Sequence, residues 1–196
     1  MHILFIYNFY SLFHNFILYI YKIKQMNFPI SSTIWIAILG TILLYSYYHF
    51  SQQFPNVIES LWGTIRGKTR KFYYYSIGFC FLCYFAIFYY LFQYKNLSSS
   101  QIYQITLAIS VMIIASMLWM PTSIEYHFHP HWILKTLIIF ILLVVSLSAW
   151  YLVHILSQIK DNSLEHHIAL FGASYFFFQV FILDFIYWNY AYLFAS

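Results

Sequence analysis

Residues 72–94, 96–124 and 136–159 contain no Lys, Arg, Asp or Glu. Each run exceeds the roughly 20 residues that an α-helix needs to cross a bilayer core about 30 Å thick. The runs are too continuous for an outer-membrane barrel, whose strands are about ten residues long and alternate with polar lumen positions. A water-facing surface is equally excluded. Charged residues make up 7% of the chain, nine Lys/Arg and five Asp/Glu over 196 residues, against about 25% in ordinary soluble domains. The fold class that follows is all-α, a polytopic transmembrane helix bundle.

Five core spans are expected, at Thr33–Phe50, Phe72–Tyr94, Gln101–Pro121, Trp132–Ser157 and His167–Phe194. Their short connections suit antiparallel neighbours. No internal repeat suggests an inverted-repeat transporter. Residues 1–25 form a further apolar stretch, read either as a sixth span or as a misassigned start preceding Met26; residues 26–196 form one helical domain. A signal peptide fits poorly, because Lys22 and Lys24 follow the apolar run instead of preceding it.

The 22 Phe and 21 Tyr read as AT-rich coding acting on a lipid-facing surface. Trp35, Trp62, Trp132 and Trp188 fall near span ends and suit an interfacial belt. Arg66, Lys68, Arg70, Lys71 and Lys135 fall on one side of a five-span topology, with Lys95 and Lys160 on the other. The positive-inside rule makes the first side cytosolic, together with the C-terminus. Between the first two core spans, Phe54, Val57, Ile58, Leu61, Trp62 and Ile65 recur at helical spacing. They predict a short interfacial amphipathic helix with Trp62 as its anchor. The basic tail Arg66, Lys68, Arg70 and Lys71 would then meet anionic lipid headgroups.

Asp184 stands inside the last apolar run. With that span centred near Val180, it lies about 6 Å from mid-bilayer. An acid there costs roughly 2.5–3.5 kcal/mol on insertion scales, normally offset by facing the bundle, by pairing or by staying protonated. Lys135 opens the antiparallel fourth core span about 9 Å away along the axis, and the two are expected to form an intramembrane polar site. The blander reading is an interhelical hydrogen bond worth about 0.6–2 kcal/mol.

Glu125, His127, His129 and His131 alternate in the connection after the third core span. If extended, this stretch places its histidines on one side, where imidazole and carboxylate could hold a transition metal. Cys80 and Cys83 form a C-x-x-C, but membrane disulfide oxidoreductases need further cysteines to relay electrons, and this chain has two. Two thiols packed as small apolar residues are expected. Glu165, His166 and His167 fall on the opposite face from the histidine alternation, which argues against a di-iron His-box enzyme.

The first functional reading is therefore a structural or accessory membrane protein. A carrier or channel for protons or a small solute, using Asp184, is the alternative, and a metal-assisted or lipid-acting enzyme the third. No cofactor is expected beyond a metal ion at the histidine connection. The expected partners are the lipid bilayer, anionic lipids or other membrane proteins, and no nucleic acid.

Overall fold

The computed structural model describes residues 30–93 and 97–194; the N-terminal stretch 1–25 lies outside the described residues. Six helices follow in order: α1 Ile30–Gln53, α2 Pro55–Ser60, α3 Gly67–Gln93, α4 Ser99–Phe128, α5 Trp132–Ser157 and α6, which starts at Leu164. All except α2 are long and apolar enough to cross a membrane. The chain divides into two compact units, Met1–Trp35 and Ile36–Ser196. Of the first, only the opening turns of α1 are described.

Local sequence explains the helix ends. Ser98 caps α4 in a reciprocal box with Gln101, and Ser163 caps α6 by accepting from the His166 amide at 3.2 Å. His131 caps α5 through its ring nitrogen. Pro55 takes the first turn of α2, where its missing N–H is not needed.

The expected end of the third core span at Pro121 is corrected: α4 continues through the proline to Phe128. Pro121 has no N–H for the Met117 carbonyl one turn back, and nearby hydroxyls add bonds to the carbonyls on either side of it. Tyr47 donates to Ser116 O at 2.9 Å, Thr122 to Leu118 O at 2.7 Å and Ser123 to Trp119 O at 2.8 Å.

Helix α4 packs on α5, α5 on α6, and α6 on α3. The buried side of α3 is Tyr73, Ser76, Cys80, Cys83, Ile87 and Tyr90, a three–four spacing that forms one seam along a helix. Its opposite side presents large apolar groups outward, including Leu82 (64%) and Phe85 (65%), as a lipid-facing surface does. Against the seam lie Ala169, Gly172 and Ala173 of α6, small residues that let the backbones approach. A Cβ on Gly172 would come within 3.1–3.3 Å of Cys83.

Beyond Phe178 the last helix widens, over Gln179–Trp188 and Tyr190–Phe194, into turns closed by i→i+5 hydrogen bonds.

The amphipathic segment between α1 and α3 is short, and its apolar face meets the protein's own helices. Val57, Leu61 and Ile65 are buried with Met120 and Ile124 of α4, Ile138 of α5, and Trp188, Ala191 and Tyr192 of α6. Thr64 N–H donates to Ala191 O at 3.2 Å, and the Trp188 indole donates to Leu61 O at 2.9 Å. The segment thus forms a plug across one end of the bundle. Trp188, expected in the interfacial belt, is one of its buried anchors, whereas Trp132 is 70% exposed.

Candidate functional site

Asp184 lies in the widened part of α6 and is half-buried. The Gln179 side-chain amide donates to its Oδ1 at 3.0 Å. These residues are five apart. On an α-helix, at about 100° per residue, they would diverge by about 140°; turns that close on the fifth residue stack them on one face.

Ser76 Oγ of α3 donates to Gln179 Oε1 and lies 2.9 Å from the Tyr175 hydroxyl. Because the hydroxyl takes the amide oxygen, the amide nitrogen is turned toward Asp184. A polar chain therefore runs Tyr175–Ser76–Gln179–Asp184 between α3 and α6. The Tyr47 and Tyr73 hydroxyls and the Cys80 thiol lie within electrostatic range of the carboxyl. Each tyrosine is already engaged, Tyr47 with Ser116 O and Tyr73 with Leu183 O.

Five residues beyond Asp184, Asn189 is buried. Its amide donates to Phe185 O at 2.6 Å, and its Oδ1 has no hydrogen-bond partner among the described residues. Asn189 thus lies as far beyond Asp184 as Gln179 lies before it, immediately after the widened segment Gln179–Trp188. Sequence reasoning singled out Asp184 alone. The available signal was the Q-x4-D spacing, which α-helical geometry scatters.

Lys135 and Asp184 do not meet as the expected ion pair. The Lys135 ammonium donates to Leu193 O at 2.8 Å and lies 3.7 Å from the centroid of the Phe194 ring. Lysine at the start of α5 lies beside the last carbonyls of α6, where partial negative charge and an aromatic face attract it. Among the described residues, no Lys, Arg or His lies within ion-pair distance of Asp184; the pair found there is Arg70–Glu59.

The histidine connection is not extended. Glu125 and His127 belong to the last turn of α4, His129 ends it and His131 caps α5. The helix continues past Pro121, so the two-residue alternation does not align these side chains. His127 Nδ1 instead lies 3.1 Å from Ser60 Oγ on the plug. Among the described residues, no three His, Cys, Asp or Glu side chains gather in a metal-holding group. Cys80 and Cys83 are buried free thiols on the α3 seam.

In the basic tail, Arg66, Lys68 and Lys71 are exposed. Arg70 forms a two-point pair with the Glu59 carboxylate and lies 4.8 Å from the centroid of the Trp62 ring. The Arg70 hydrogen bond, with a smaller contribution from its charge, holds Glu59 below the usual carboxylate range. A lowered folded value means that this contribution is present above the ordinary value of about 4 and is lost as pH falls through the lowered one. Trp62 fluorescence is accordingly expected to hold steady from pH 8 to about 5 and to change below about 4. That change should vanish in Glu59→Gln, whereas a midpoint near neutrality would contradict the Arg70–Glu59 pairing as its source.

Comparisons with protein-family models, with curated proteins and with solved structures find no match to this chain.

Proposed function

We propose that this integral membrane bundle carries protons by loading and unloading the Asp184 carboxyl. The supporting observation is an intramembrane acid with an oriented amide partner and no cation partner among the described residues. A fixed counter-charge would hold the acid in its ionised form. Here one carboxyl oxygen accepts from Gln179, which leaves the other to bind or release a proton. Ser76 positions the amide for this, because its hydrogen bond disfavours the flipped orientation in which two oxygens would face each other.

The end that carries the plug, Arg66, Lys68, Lys71 and Lys135 is the cytosolic one in this reading. The three exposed cations of the tail there face anionic headgroups.

An accessory scaffold is the second reading, favoured by other contacts. Tyr73 on Leu183 O and Ser146 on Val180 O at 3.1 Å tie α3 and α5 to α6. Asp184→Asn separates the two, since asparagine still accepts from Gln179 and preserves shape. In proteoliposomes with an imposed pH gradient, the unaltered protein should dissipate the gradient and Asp184→Asn should slow it at least tenfold with an unchanged Tm. Flux equal to that of empty liposomes, or equal in both proteins, would leave the scaffold reading.

A further inference from the structure

The outward face of α3 changes character at the plug end. Lys68, Lys71, Phe72, Tyr75, Phe79 and Leu82 are all exposed, and their three- and four-residue spacing puts them in one stripe. This stripe is separate from the buried seam of Tyr73, Ser76, Cys80 and Cys83. Two cations head it and four apolar or aromatic side chains follow, with Tyr75 the most open of them at 78% exposure.

The two lysines stand where a helix least favours them. Helix α3 begins at Gly67 and has no acidic residue in its first turn. The positive end of the helix dipole therefore sits beside two ammonium groups, and like charges three residues apart repel. Arg66 adds a third exposed cation just before the helix. Among the described residues, no Asp or Glu lies within ion-pair distance of either lysine. Glu59, the acid of this segment, is taken by Arg70, which turns Arg70 toward the plug and out of the set.

Depth identifies the layers these groups occupy. The apolar stretch long enough to cross the membrane starts at Gly67. Lys71 lies about 4.5 Å further in than Lys68, and Tyr75 about 6 Å further than Lys71. A headgroup layer is about 5–7 Å thick, so the cations fall at phosphate level and the aromatic stripe beside the acyl chains.

We infer that this stripe is a binding site for one anionic phospholipid, its phosphate held by Lys68 and Lys71 and an acyl chain lying along Phe72, Tyr75 and Phe79. The site goes beyond a general attraction of the tail to headgroups and is independent of proton carriage at Asp184. The phosphate offsets the lysine repulsion and the helix-end dipole together, and each ammonium can donate a charge-assisted hydrogen bond to it. A zwitterionic lipid carries its own cation beside the phosphate, so the site selects phosphatidylglycerol over phosphatidylcholine. A water-soluble anion would meet the lysines and leave the apolar stripe unused.

The test is native mass spectrometry of the full chain in detergent, titrated with phosphatidylglycerol, with phosphatidylcholine or with glycerophosphoglycerol, the same anionic headgroup without acyl chains. One phosphatidylglycerol is expected to bind at least tenfold more tightly than either of the others. Lys68→Gln combined with Lys71→Gln should weaken it at least tenfold, and Tyr75→Ser, which keeps both charges, severalfold. Lys160→Gln, at an exposed position beyond the far end of α5, should leave binding unchanged. Equal binding of the two lipids would overturn the inference and leave the cations as an orientation signal. Glycerophosphoglycerol binding as tightly as the lipid would mean a free-anion site and overturn it too. So would full phosphatidylglycerol binding in either the lysine or the tyrosine variant, or an equal loss in Lys160→Gln.

Discussion

Trp188→Ala is expected to destabilise the bundle by about 3–5 kcal/mol, the range for truncating a buried aromatic. Trp188 is 5% exposed and packs its ring 5.0 Å from Trp119 and 4.9 Å from Tyr192. Its indole donates to Leu61 O, so truncation leaves both a cavity and an unpaired carbonyl beneath the plug. Trp188→Phe keeps most of the ring and should lose about 1 kcal/mol, for the hydrogen bond. Trp132→Ala, on an exposed position, should stay within about 0.5 kcal/mol. Thermal unfolding in nanodiscs orders the three variants, and equal losses at Trp188 and Trp132 would contradict a buried anchor.

Gly63→Ala is the second large effect, at about 3 kcal/mol or more. Gly63 has φ +51°, and an L-residue there costs roughly 1–2 kcal/mol. Its new Cβ would also run into the Ala191 carbonyl and the Tyr192 backbone. The plug would have to lift, breaking the Thr64–Ala191 hydrogen bond. Gly67 provides the control. Its φ is +57°, but a Cβ there meets nothing within 4 Å, so Gly67→Ala should show only the backbone cost of about 1–2 kcal/mol. Urea titration of plug fluorescence at Trp62 compares the two, and similar midpoints would mean that the loop is not seated on α6.

Five spans were legible because charge-free runs of that length have few alternatives. Which side of each span faces lipid was not, since lipid and bundle both favour apolar side chains. Trp188 therefore read as an interfacial anchor and proved internal. The plug's apolar periodicity was visible, yet the same pattern serves a membrane surface or a protein end. Asp184 was legible as an exception within its run. Gln179 was not, because its contact with Asp184 at five-residue spacing depends on a helix wider than the α form. Lys135 was expected by depth beside Asp184 and meets the Leu193 carbonyl instead, because depth alone does not distinguish a carboxylate from a helix-terminal carbonyl. The histidine alternation misled because it assumed an extended chain past Pro121, where hydroxyls support continued helix.

If the bundle carries protons as proposed, Asp184 exchanges one within the membrane. Infrared difference spectroscopy of the reconstituted protein, with bulk pH cycled, reads this directly. A protonated-carboxyl C=O band that appears and disappears with pH, and is missing in Asp184→Asn, is the predicted result. A spectrum that is the same in the two proteins would contradict it.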